Sequence, residues 1–149
     1  MIYDALREMF NILKDSDELN KFCKENLGGE LSVFLGSDEN NLTEIDNAPY
    51  IVLDKSYVDF KRVNRQLECD AHFYLFFCIY DEGKKDGVYS GVEKIDKFAY
   101  IARWEILKNI KRPVEFLQET IQAEKVDAPL RSYPVYTMLL TGKTVYKEE

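Results

Sequence analysis

The sequence predicts an α+β domain with a helical N-terminus and a mostly antiparallel sheet of about four to five strands, covered by one long helix. Three observations predict it. Apolar residues recur at helical spacing from Ile2 to Leu13, and again from Val92 to Ile110. Between those stretches, Cys69 to Tyr80 alternates strictly enough to assign two faces of one strand. Pro49 to Leu53 and Pro134 to Thr141 are short apolar runs, each opened by a proline, as strands bounded by turns are.

In chain order, Ile2, Leu6, Met9, Phe10 and Leu13 form one stripe of an amphipathic helix that Asp15-Ser16-Asp17-Glu18 interrupts. The same four residues can cap a second short helix, with Leu19, Phe22 and Cys23 on one face and Gly28-Gly29 as its stop. Leu31, Val33 and Leu35 then alternate with Ser32 and Phe34 as a first strand, followed by the polar loop Gly36 to Asn41. Pro49-Tyr50-Ile51-Val52-Leu53 is the second strand, and Lys55 to Cys69 fits no regular period.

In the long strand, Ala71, Phe73, Leu75, Phe77 and Ile79 share one face, and His72, Tyr74, Phe76, Cys78 and Tyr80 the other. Apolar character on both faces places it centrally in the sheet. Asp81 to Gly87 reads as a flexible charged connection, and Ser90-Gly91-Val92-Glu93 has the spacing of a capping box. Val92, Ile95, Ala99, Ala102, Ile106 and Ile110 then mark the main helix, which Arg112-Pro113 ends. Val114 to Glu124 fits either a strand or a short helix, with strand favoured; Asp127 to Tyr133 is a loop, and Pro134 opens the last strand, bent at Gly142. With no repeat or linker, residues 1–149 read as one domain.

The formal charge of −7, from 20 basic and 27 acidic residues, argues against general nucleic-acid binding, which needs a net basic face. Cys23, Cys69 and Cys78 include no C-x-x-C pair and fit reduced thiols. Acidic residues near Met1 do not suit a secretory signal, and no apolar run approaches the ~20 residues of a membrane span. A soluble protein is expected.

Each fragment of chemistry has a simpler explanation. Gly142-Lys143-Thr144 resembles the end of a phosphate-binding loop, but Thr137 stands where the earlier glycine is required, and no helix-forming stretch follows. Cys69 and His72 are half of a metal-site spacing, yet a strand offset of three sends them to opposite faces. His72 is the single histidine, and neither Ser56, Ser90 nor Cys78 sits in a nucleophile frame, so no catalytic residue, cofactor or metal ligand is assigned. Asp38 to Asp46 departs from a calcium loop at Leu42 and Thr43. Lys61-Arg62-Val63-Asn64-Arg65 reads as a charged face toward water or an acidic neighbour, and Lys108, Lys111 and Arg112 as cations at a helix C-terminus. Tyr133, Tyr136 and Tyr146 form a tyrosine-rich edge of the kind found at interfaces, although a core role suits each ring singly.

The order of elements resembles the tail terminator, or tail completion, proteins of long-tailed bacteriophages, a family that includes head–tail joining components. The resemblance is carried by the opening helix from Ile2, the Pro49 to Leu53 strand, the Ala71 to Tyr80 strand, the helix from Ser90 and the closing strand from Pro134. The helix ending at Gly28-Gly29 and the stretch from Lys55 to Cys69 depart from it. It implies a non-enzymatic structural protein of a phage or prophage, present in the virion and in the host cytoplasm during assembly. It also implies a homo-oligomeric ring, commonly a hexamer, that caps the tail tube and meets the head connector. The expected interface residues are Asp81, Lys84, Lys85, Asp86, Tyr133, Tyr136 and Tyr146. The alternative is a small acidic cytoplasmic adaptor or immunity-type protein that masks a basic partner.

Overall fold

In the computed structural model, which describes residues 1–36, 48–120 and 133–148, the first apolar stripe becomes the buried side of α1 (Ile2–Asp15), with Ala5, Leu6, Met9 and Leu13 inside. Ser16 serves two helices. Its backbone N–H bonds the Leu13 carbonyl at the end of α1, while its Oγ accepts the Leu19 N–H at 3.1 Å and caps α2 (Asp17–Asn26). Gly28, at φ +70, takes the left-handed conformation that stops α2.

The strands are β1 (Ser32–Leu35), β2 (Tyr50–Val63), β3 (Gln66–Tyr80), β4 (Lys84–Lys85), β5 (Val88–Tyr89), β6 (Val114–Thr120) and β7 (Val135–Glu148), with α3 (Ser90–Asn109) between β5 and β6. The main sheet has the order β1-β2-β3-β7-β6, and β4-β5 is a separate hairpin. Only the β1–β2 pairing of this sheet is parallel; β2–β3, β3–β7 and β6–β7 are antiparallel. The α+β class and the mostly antiparallel sheet are therefore as expected, and β3 is the central strand.

One face of the sheet carries the helices. α1 lies over β1 and β2, α3 over β3 and β7, and α2 packs against α3, so the cover is a helical layer rather than one helix. The core between them holds Leu6, Met9, Leu13, Ile51, Leu53, Phe73, Leu75, Phe77, Ile79, Phe98 and Ile106. Phe98 is central: its ring meets Phe77 edge-on at 5.3 Å and stacks on Phe22 at 6.5 Å. On the opposite face Tyr50, Val52, Phe76, Cys78 and Val135 form a second buried cluster. Both faces of β3 are thus apolar and buried, as its sequence implied.

Five local expectations need correction. The strand expected from Pro49 to Leu53 runs on to Val63, and the unplaced stretch is a long hairpin turning at Asn64-Arg65, whose φ values of +50 and +69 give the reversal. Asp81 to Gly87 is not a flexible connection: Lys84 pairs with Tyr89 and Lys85 with Val88 around the turn Asp86-Gly87. The capping box at Ser90 does not form. α3 starts at Ser90 itself, and the hydroxyl instead donates to the Asp81 carboxylate and lies 3.2 Å from the Gly83 carbonyl. Val92 is consequently 62% exposed, while Gly91, Ile95, Phe98, Ala99, Ala102 and Ile106 face inward.

Gly142 is not a bend, because it stays in register opposite Phe73; the irregularity lies in β6, between Phe116 and Gln118. A side chain at Gly142 would come within 2.6 Å of the Phe73 ring and 2.9 Å of the Glu115 carbonyl, which is why glycine stands there. Val114 to Thr120 is a strand, as favoured. The calcium-like loop at Asp38 to Asp46, the stretch 121–124 and the loop residues 127–132 lie outside the described residues.

Candidate assembly surfaces

Six of the seven expected interface residues gather at one end of the sheet. Asp81 follows β3, and its backbone N–H bonds the Pro134 carbonyl at 2.8 Å, which ties the β4–β5 hairpin to the start of β7. The Lys84 ammonium sits 4.6 Å over the Tyr133 ring, and Tyr133 meets Tyr89 edge-on at 5.3 Å. Lys84, Lys85, Asp86 and Val88 are exposed, so this corner presents a charged hairpin braced by two tyrosines.

Asp81 is structural within it. Lys94 Nζ bonds Asp81 Oδ1 at 2.9 Å, and Ser90 donates to the other oxygen. Burial works against the charged carboxylate, but the hydrogen bonds from Lys94 and Ser90, the Lys94 charge and a backbone bond at Gly83 outweigh it and hold Asp81 below the usual carboxylate range. A lowered folded value means stability that is present above the unfolded pKa, about 3.9, and lost as pH falls through the folded value. Asp81→Asn therefore costs about 1.5 kcal/mol near neutral pH. The gap between variant and parent closes on acidification. Urea melts across a pH series measure it; a gap unchanged down to about pH 2 would contradict the charge-based role.

Tyr136 is a core residue rather than a surface ring. It is 6% exposed beneath Gly91, and its hydroxyl has no hydrogen-bond partner among the described residues. Burial, then the nearby Asp81 charge, pushes its pKa up. Tyr146 lies near the other end of β7, opposite Cys69, roughly 30 Å along the strand from Tyr136. It borders a cleft of about 420 Å³ with Met1, Ile2, Tyr3, Leu35 and Lys55. The tyrosines therefore do not form one edge, and β7 is an interior strand where β3 and β6 flank it.

The surface that periodicity missed is an arm. β2 from Lys55, β3 up to His72 and the end of β7 run past the point where β1 stops pairing, at Leu53. Tyr57 and Phe60 are 53% and 60% exposed on it. On one face Tyr57 stacks on His72 at 4.1 Å, with the imidazole Nε2 3.6 Å from Asp59, and Lys61 faces Glu68 at 3.2 Å. Hydrogen bonding to Glu68 and its charge raise the Lys61 pKa. Cys69 belongs to the other, helix-bearing face, so it and His72 diverge as strand geometry requires.

The basic cluster Lys61 to Arg65 is the tip of this arm. By contrast, Lys108 and Arg112 are engaged at the end of α3: Lys108 with Glu18 and Glu105, and Arg112 with Glu8 at 2.8 Å. Gly142-Lys143-Thr144 is extended strand with partners on both sides, a geometry that cannot wrap a phosphate.

A shallow acidic cleft of about 570 Å³ lies where α1 turns into α2, lined by Asp15, Asp17, Glu18, Glu105 and Asn109. Its one buried carboxylate, Glu105, is held by Asn109 and Lys108. Burial alone pushes the Cys23 thiol up to about 12, so that sulfur is inert packing. Among the described residues no helix is long and apolar enough to cross a membrane, and no group of three or more His, Cys, Asp or Glu is placed to hold a metal. No family model matches the chain, and no curated protein sequence matches it.

Proposed function

We propose that this chain is a self-associating structural subunit of a phage or prophage particle, of the tail terminator kind, which closes into a ring on the end of a tail tube and meets the head connector. The observation that supports the reading most is the exposed arm built from β2, β3 and β7, with Tyr57 and Phe60 outside the chain's own core. Among the described residues this arm has little to pack against, and large exposed aromatics are typical of surfaces that another chain covers. The charged β4–β5 hairpin at the opposite end supplies a second, polar contact region. The acidic balance of −7 suits a passage that does not grip DNA.

The absolute mass of the purified 17.5-kDa chain, measured by light scattering across a concentration and salt series, tests the reading. A discrete ring-sized oligomer, near six copies, is the expected result. A strict monomer at every concentration, with no assembly on a tail tube, would move the chain to the class of acidic adaptors.

A further inference from the structure

Two open edges of the sheet match one another. β1 pairs with β2 only through Leu53, and Gly36, at φ +81, ends that pairing with its N–H on the Leu53 carbonyl at 2.6 Å. From Lys55 to Val63, β2 has no strand on its outer side among the described residues. At the other margin, β6 is bordered only by β7 among the described residues. Outer edges of this kind present alternate backbone N–H and C=O groups to any strand that arrives.

Length, direction and charge all point to the same occupant. After the irregularity at Ser56, the edge Tyr57 to Val63 is as long as the seven-residue β6. Because β2–β3, β3–β7 and β7–β6 are each antiparallel, β2 and β6 run in opposite directions within one sheet. A second copy shifted sideways, and by about four residues along the strands so that its β6 clears the end of β1, thus brings that β6 antiparallel to Tyr57–Val63 of this β2. Every helical layer then stays on the same side. The β2 edge carries Lys55, Lys61 and Arg62 against Asp59, whereas β6 carries Glu115 and Glu119.

Part of that charge is engaged internally, since Lys61 faces Glu68 and Glu119 pairs with Arg103. Among the described residues Arg62 makes no ion pair and Glu115, with its side chain 67% exposed, reaches only Lys143, at 3.9 Å. Like charge also discourages the competing arrangement, β2 against β2, which would bring two basic edges together.

We infer that neighbouring copies join by strand addition, the outer edge of β2 (Tyr57–Val63) in one copy pairing antiparallel with the outer edge of β6 in the next. This rests on the proposal that the chain self-associates. It specifies a heterologous contact, which closes a ring if its rotation allows and otherwise grows open chains.

Site-directed cross-linking tests it. The native cysteines are all buried, so a short bismaleimide reports on introduced thiols at the exposed positions Asp59→Cys, on the arm, and Gln118→Cys, on β6, which the proposed pairing places opposite one another. Heterologous strand addition predicts a covalent dimer when the two variants are mixed, none from either alone, and a ladder of higher species when both cysteines are in one chain. A dimer from Asp59→Cys alone would replace the inference with two-fold β2–β2 pairing. If light scattering shows an oligomer but no combination cross-links, the strand contact is wrong and the ring reading stands. If no oligomer forms at all, both fail. Circular dichroism of each variant confirms that the fold is retained.

Discussion

Phe98→Ala is expected to cost about 4 kcal/mol, the largest loss from any single side chain considered, because it empties the junction of α2, α3 and the sheet. The ring is fully buried; it stacks on Phe22 of α2 and sits edge-on to Phe77 of β3, so its removal detaches α2 from α3 and α3 from the sheet together. No neighbouring side chain can fill the space without leaving its own rotamer, since Ile95, Ala99, Ala102 and Ile106 are themselves fixed in the same layer. In a chain of this size the loss corresponds to a melting temperature lower by roughly 12 °C. Calorimetry of parent and variant checks it. A loss under about 1 kcal/mol would mean that α3 does not depend on this junction.

The second large effect comes from adding a single methyl. Gly91→Ala normally helps a helix by up to about 1 kcal/mol. Here the added carbon would lie inside contact distance of the Tyr136 ring, which is buried between α3 and β7. Overpacking of this kind costs about 3 kcal/mol, and it outweighs the helical gain. Tyr136→Leu in the same chain makes room and recovers most of the loss, which separates the steric cause from any other effect at the start of α3. Denaturant melts of the single and double variants provide the comparison. Failure of the second change to rescue the first would remove Tyr136 as the cause.

These two positions show what was legible in the sequence and what was not. Phe98 belongs to a helix whose apolar period is plain, and α1 and β3 were equally plain, because a one-sided helix and a two-sided central strand leave distinct patterns in the order of residues. The Tyr136 ring could not be told from a surface tyrosine: its burial depends on a glycine 45 residues earlier in the chain, a contact made only in the fold. The capping box at Ser90 failed for a similar reason. Asp81, nine residues away, takes the hydroxyl that the local rule assigned to the helix terminus.

The arm was illegible because it has no regular hydrophobic period. Ser56 to Arg65 is solvated along much of its length, the irregularity between Lys55 and Tyr57 shifts the alternation by one, and Asn64-Arg65 makes a turn for which Asn-Gly is the usual signal. The notion of a tyrosine edge failed through topology. Tyr136 and Tyr146 lie on one strand, but near opposite ends, and the flanking of β7 by β3 and β6 follows from a strand order that sequence does not state. The charge complementarity of β2 and β6 becomes visible only once the part of β2 beyond β1 and the strand β6 are known to be open edges on opposite sides of one sheet.

The claim at the centre of this account is that the chain closes on itself as a ring. Negative-stain electron microscopy of the oligomeric fraction tests it most directly. The predicted result is a population of uniform closed rings with a central opening and cyclic symmetry near six-fold. Isolated compact particles of single-chain size, or open filaments that never close, would contradict it.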